Sequence, residues 1–323
     1  MALIKFLFEI EKKPRKGLLA VEWVIMGYLL FTLLLMLFMT TKIQDPAPML
    51  WLRFHAAMLT GALWVVYRLI PCRFTLLCRI SLQLIMLSWW YPDTYEFNKY
   101  FTNLDPLFAG YDQSMFGFQP ALLFSQTVSN PVFSELMHLG YASYFPLIAL
   151  ISLFYFFRRY GEFELAMFIL LTAFFIYYVI FVFLPVTGPQ FYYLAAGFEN
   201  IAAGVFPDVD SYFASHSEMV TMPGWDKGFF YHLVECAHEA GERPTAAFPS
   251  SHVGITTILM ILAWRTRNRR LFWCMMPFFV LMCLATVYIM AHYAIDVIGG
   301  WVSAIVFYVI LHFLGRKICP IRK

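Results

Sequence analysis

The chain has 323 residues, of which 61% are hydrophobic and 13% charged, and its net charge is +3. A soluble domain carries about 25% charged residues, and several apolar runs exceed the ~20 residues that cross a bilayer, so an ordinary soluble globular protein is excluded. The small net charge makes no case for nucleic acid, because the basic residues are sorted by membrane side instead of gathering in a patch.

Residues 1–16 are basic (Lys12, Lys13, Arg15, Lys16), the expected cytoplasmic flank of a first span at 17–40. No A-x-A-like site follows that apolar run, so it is expected to stay as a span and not to be cleaved. A Pro-containing turn at Asp45-Pro46-Ala47-Pro48 leads to a second span near 50–70, and a third ends near Trp89-Trp90. Glu22 lies inside the first span without an assigned role. The stretch 91–131 is too polar and too broken by Gly and Pro to span; its aromatics suit short amphipathic helices along the outer interface.

The fourth span is expected at 133–157 and the fifth at 163–185, ending at Pro185-Val186-Thr187-Gly188-Pro189. A long polar loop, 190–246, follows. The sixth span starts at Phe248-Pro249-Ser250-Ser251-His252-Val253-Gly254 and closes in the basic run 265–270. A seventh runs from 271 to 290, and an eighth from His292 to Arg316-Lys317. The expectation is therefore an all-α, multi-pass bundle of about eight spans.

The basic residues test this layout. The proposed cytoplasmic segments hold 18 of the 23 Lys and Arg: five in 1–16, three in 68–79, two at 158–159, four in 265–270 and four in 316–323. By the positive-inside rule both termini are cytoplasmic, and His252 and His292, two spans apart, both face outward. Of six cysteines only Cys236 falls in the long outer loop, so no bridge within the chain is expected there.

Two segments carry the chemistry. His292 and Asp296, four apart, share one side of a helix. The carboxylate can fix the imidazole tautomer and stabilise a positive ring, which makes His292 the candidate nucleophile and Asp296 its orienter. Ser250 and Ser251 sit at a helix start, where unpaired N–H groups favour an anion such as phosphate. His252 beside them suits a general acid for the leaving alkoxide and then a base for the incoming hydroxyl. Arg243, the one arginine of the long loop, is a candidate phosphate donor. A histidine at a span end is commonly structural; the pairing of the two segments is what lifts these residues above that.

Other classes fare less well. His232-Leu233-Val234-Glu235-Cys236-Ala237-His238-Glu239 offers metal-ligand types, but its spacing is not H-E-x-x-H and a second cysteine is missing. No metal or cofactor is assigned. A transporter needs a polar pathway, and only Glu22 and Glu135 fall well inside spans. A haem or metal protein would ligate His252 and His292. The aromatic content of 20% fits a lipid-facing surface and interface belt, with membrane lipids as the partners.

At these residues the chain resembles the type-2 phosphatidic-acid phosphatase superfamily. Pro249-Ser250-Ser251-His252 is similar to its Pro-Ser-Gly-His motif, with Ser for Gly, and His292 with Asp296 matches the end of its third motif. The resemblance implies a six-span catalytic core over 133–323 with 1–132 as an addition, a phosphohistidine intermediate, an extracytoplasmic site and metal independence. The departures are specific. Ala285-Thr286 stand where the phosphatase branch has Ser-Arg, and Arg243-Pro244 keep half of a first motif whose lysine position is Cys236. Ala285-Thr286-Val287-Tyr288 leading into His292-Tyr293 and Asp296-Val297-Ile298-Gly299-Gly300 is similar to fungal inositol-phosphorylceramide synthases, and the His-Tyr-x-x-Asp-Val run also to sphingomyelin synthases. Met115-Phe116-Gly117-Phe118-Gln119-Pro120 and Pro185-Val186-Thr187-Gly188-Pro189-Gln190-Phe191-Tyr192 resemble the same branch. The implied activity is a head-group transferase if the acceptor is a lipid alcohol, and a phosphatase if it is water.

Overall fold

The computed structural model describes residues 2–43 and 45–319. Fifteen α-helices carry the described chain. They are α1 (Ala2–Leu7), α2 (Ala20–Phe38), α3 (Ala47–Leu69), α4 (Arg73–Asn98), α5 (Asp105–Phe116), α6 (Pro120–Thr127), α7 (Pro131–Ala142) and α8 (Tyr144–Arg158). After them come α9 (Tyr160–Phe183), α10 (Pro189–Ala196), α11 (Phe198–Ala202), α12 (Phe229–Gly241), α13 (Ser251–Arg265), α14 (Arg269–Tyr288) and α15 (Ala294–Ile318). The all-α membrane architecture is the one expected.

Six helices are long and apolar enough to cross a membrane: α2, α3, α4, α9, α14 and α15. A seventh crossing exists if α7 and α8, bent by 45°, form one span. Pro146 accounts for the bend: it has no N–H to give, and its ring presses on the carbonyl four residues back, at Ala142, where α7 ends. The remaining expected span is α13, which has 15 residues. Its rise is roughly 22 Å against ~30 Å of hydrocarbon, which makes it the shortest of the expected crossings.

The bundle is built around α9. A helix with no polar stripe has to be inside, and residues 163–175 are buried without interruption. Helices α4, α2, α8, α13 and α15 pack on it, and α13 packs in turn on α14, α15 and α8. The first three long helices thus join the bundle from the α9 side.

The third long helix runs eight residues past Trp90 to Asn98. The polar end of α4 stays helical because its polar groups find partners: Asp93 accepts from Arg53 at 2.7 and 3.1 Å, and both are buried. Glu22, left without a role above, forms a buried ion pair with Arg79 between α2 and α4. Glu164 on α9 pairs with Arg15 at 2.5 Å. Acidic residues within spanning helices are therefore more numerous than the sequence reading had it, and each of these three has a basic partner, as low-dielectric burial demands. Glu135, by contrast, accepts the Phe230 and Tyr231 N–H groups at 3.0 Å each, at the start of α12. Arg53 and Arg79 are structural cations, which removes Arg79 from the loop charges counted above. Arg322 and Lys323 of the last basic segment lie outside the described residues.

Candidate active site

Two helices must cross closely for the histidines to meet, and glycines set the approach. A Cβ on Gly300 of α15 would lie 2.7 Å from the Ser250 carbonyl oxygen, and one on Gly254 of α13 would overlap the Tyr177 hydroxyl. With both bare, Ser250 N donates to the Asp296 carbonyl at 3.0 Å. The starts of α13 and α15 are thereby locked side by side, and the rings of His252 and His292 stand 5.8 Å apart between centroids.

His292 lies in the short turn between α14 and α15 and is 3% exposed. Its Nδ1 is 2.8 Å from the Ala247 carbonyl oxygen. A carbonyl only accepts, so the bonding assigns the proton to Nδ1 and leaves the lone pair on Nε2. Asp296 Oδ2 is 3.4 Å from the same Nδ1. Its closer bond, 2.9 Å, is to the Tyr293 N–H at the start of α15. The tautomer is thus set chiefly by a backbone carbonyl, with Asp296 as the neighbouring negative charge. Burial pushes the His292 imidazole down to about 4, against the opposing pull of the Ala247 bond. The ring is neutral at physiological pH.

Ser250 caps α13: it is fully buried and its hydroxyl accepts from Val253 N at 3.4 Å. Gly254 N goes to the Ser250 carbonyl, which leaves the N–H groups of Ser251 and His252 as the donors at the helix start. Ser251 sits beside the Tyr144 hydroxyl. His252 is held by aromatic rings, stacked on Tyr141 at 4.7 Å and tilted on Tyr144 at 4.4 Å, and its Nδ1 is buried with no partner among the described residues. The structure brings His252, His292, Asp296, Ser250 and Ser251 together. Arg243 is placed differently: it is exposed, and its guanidinium donates to the Glu242 carbonyl at 3.0 Å.

Several supporting residues were not legible beforehand. Asp105, at the start of α5, is fully buried and accepts five bonds. The donors are Asn103 Nδ2, the N–H and hydroxyl of Thr187, the Gly188 N–H and the Tyr293 hydroxyl, all within 2.9 Å. Burial raises its carboxyl pKa above the ordinary value in spite of those donors. Asp112 accepts from Ala294 and Ile295 N at 2.8 and 2.9 Å and so caps α15 from outside. The 185–190 loop closes the other side: Val186 O accepts from Ala247 N, and Gln190 N donates to Met290 O. Ala246 (φ +69°) and Met290 (φ +63°) adopt left-handed backbone on either side of this contact. Side chains pay for that conformation with steric strain, and here it aims the Ala247 carbonyl and the His292 turn at each other. The 232–239 run divides: His232 is exposed and bonded to Glu235, whereas His238 is buried.

No curated protein and no solved structure matches the chain. A family model described as the PAP2 superfamily matches residues 108–310. That span is well over half of the 323 residues and contains both histidines, Asp296, the two helix starts and the 185–190 loop. The chain belongs to the PAP2 superfamily.

Proposed function

We propose that the protein is a membrane lipid phosphotransferase that moves a phospho-head-group through a phosphohistidine. Family membership supports phosphatase-type phosphoester chemistry in general, and one observation carries the finer reading. His292 is neutral and buried, its Nδ1–H is committed to the Ala247 carbonyl, and its ring stands 5.8 Å from His252.

In the first step the Nε2 lone pair of His292 forms the N–P bond while the P–O bond to the lipid alcohol breaks. The departing oxygen keeps the electron pair and takes a proton from His252. In the second step a new hydroxyl attacks phosphorus, gives its proton to His252, and returns the N–P pair to Nε2. Asp296 stabilises the positive ring between the steps. The Ser251 hydroxyl and the N–H groups of Ser251 and His252 meet the equatorial oxygens.

Transfer to a lipid alcohol is favoured over transfer to water by the surroundings of the pair. His292 is 3% exposed and two tyrosine rings cover His252, which excludes water from the reacting atoms. The resemblance of 115–120 and 185–192 to inositol-phosphorylceramide and sphingomyelin synthases agrees with this, since Tyr193 beside the second segment bonds Gln119 of the first at 2.9 Å. An inositolphosphotransferase-like activity is the specific form proposed. The charge sorting supports cytoplasmic termini and a site on the outer face. Incubation of purified protein with head-group-labelled phosphatidylinositol, with and without ceramide, tests the acceptor. Label is expected in a new lipid only when ceramide is present; release of water-soluble inositol phosphate regardless of ceramide identifies water as the acceptor instead.

A further inference from the structure

Around His252 and His292, positive charge is scarce. A phosphoryl group in transfer carries its negative charge on three equatorial oxygens and needs cations or fixed donors there. Arg243 is exposed and bonded to its neighbour's carbonyl, and Arg15, Arg53 and Arg79 are engaged by carboxylates. A third imidazole, His238, shares the Tyr141 ring with His252.

His238 lies on the buried face of α12 with Tyr231 and Val234 and is 5% exposed. Its ring meets Tyr141 edge-on at 5.6 Å, and Tyr141 in turn stacks on His252 at 4.7 Å. Its Nε2 is buried without a hydrogen-bond partner among the described residues. A buried nitrogen in that condition is costly, and a ligand that completes the bond removes the cost. His252 Nδ1, across Tyr141, is in the same condition. Two unpartnered imidazole nitrogens thus belong to rings that both contact Tyr141, next to the histidine pair of the proposed reaction.

We propose that His238 is a phosphate-binding residue of this site, donating as the imidazolium to the phosphoryl oxygens in a role more often filled by lysine or arginine. The proposal rests on the phosphoryl-transfer reading above. The proton arrives from solvent or with a monoanionic ester, and the bound anion then holds it. The groups that face His238 are His138 and Tyr141 from α7, His252 from α13 and Tyr231 from its own helix. Glu235 is turned to His232, Glu239 is exposed, and Glu242 donates its backbone N–H to the His238 carbonyl. The anion is therefore the partner that the imidazolium of this proposal meets, and anion affinity is expected to fall as pH rises.

Binding of orthovanadate, a phosphoryl analogue, to the purified full-length protein in micelles tests this by calorimetry at pH 6, 7 and 8. The wild type is expected to bind tightest at pH 6 and to take up protons on binding. His238→Gln should bind about tenfold or more weakly at pH 6 and lose most of the pH slope relative to the wild type. His238→Lys, a permanent cation, should hold its affinity at pH 8. His232→Gln on the exposed side of the same helix should match the wild type. A His238→Gln protein with wild-type affinity and slope overturns the proposal, and so does a wild type that takes up no proton, whatever the variants do. A wild type that binds no orthovanadate and forms no His292-dependent phosphoenzyme is a different result: it sinks the phosphoryl-transfer reading itself.

Discussion

Ala247 and His292, 45 residues apart, are joined by a 2.8 Å hydrogen bond from Nδ1 to the backbone carbonyl, while Asp296 Oδ2 stays at 3.4 Å. The tautomer therefore survives loss of the carboxylate charge. Asp296→Asn should keep Nε2 as the free nitrogen but lose the anion that balances the positive ring. Phosphoenzyme formation is expected to slow about 10²-fold, with the covalent adduct still detectable, since a charge-assisted contact of this kind is worth a few kcal/mol. Complete loss of the adduct in a folded Asp296→Asn protein would assign tautomer control to the aspartate instead.

The burial of His292 has consequences for pH. Its folded-state value is about 4, and the unfolded value is about 6.5. Between those values the unfolded chain binds more protons than the native one, so stability rises with pH across that window. The contribution is fully present above about 6.5 and is lost as pH falls toward 4. The nucleophile stays neutral down to the same limit. The acid limb of kcat/KM should therefore lie near pH 4 to 5, well below an ordinary histidine. An acid limb between pH 6 and 7 in the wild type would show a solvated, ordinary imidazole.

The closeness of α13 and α15 is testable without touching a titratable group. Gly300→Ala places a methyl 2.7 Å from the Ser250 carbonyl oxygen, a backbone atom that cannot swing aside. The helices have to part, at a cost of about 1–3 kcal/mol, and a shift near 1 Å in the histidine pair lowers activity about 10²-fold. Gly61→Ala is the control, because nothing lies within 4 Å of its Cβ position. A lower melting temperature and lower activity are expected for Gly300→Ala alone.

The parts that the sequence made legible were those written in local patterns. Apolar run length marked the long helices, and the i, i+4 spacing put Asp296 beside His292. The serines at a helix start marked the cap of α13, borne by Ser250. Long-range pairing left no such mark. Asp105 stands 82 residues before Thr187, and nothing near it in the chain announces that its carboxylate holds the 185–190 loop to Tyr293. Ala247 acts through a carbonyl oxygen, which every residue possesses. The left-handed backbone at Ala246 and Met290 is carried by residues that favour other conformations. His238 was in view only as a metal ligand type, because its burial depends on how α12 packs on α7. Asp93 read as part of the interfacial stretch after the third span because its partner, Arg53, lies one helix away.

The sorted lysines and arginines predict which ends of the helices face the cytoplasm. In a background with Cys236→Ser and Cys274→Ser, both exposed in the native chain, a new cysteine at Arg267 should resist an impermeant thiol reagent in intact cells. One at Val205, 53% exposed, should label. The opposite pattern would turn the bundle over and put the histidines on the cytoplasmic face.

The two histidines differ in role, and leaving groups separate them. His292→Ala removes the atom that bonds phosphorus, so no covalent phosphoenzyme should form from any ester. His252→Ala removes the proton donor. A lipid alkoxide leaves poorly without that proton, and general acid help is typically worth about 10²–10⁴-fold, so formation from a lipid substrate should slow by that order. p-Nitrophenyl phosphate releases a stable anion that needs no proton, and where the site accepts it, most of its formation rate should survive in His252→Ala. The measurement is single-turnover phosphoenzyme formation, quenched in base because phosphohistidine is acid-labile, for both variants with both esters. The stacking of His252 on Tyr141 and Tyr144 makes a cavity the main structural risk of the alanine, so His252→Gln accompanies it to keep the volume. A phosphoenzyme that persists in His292→Ala and is absent from both His252 variants with both esters would exchange the two roles.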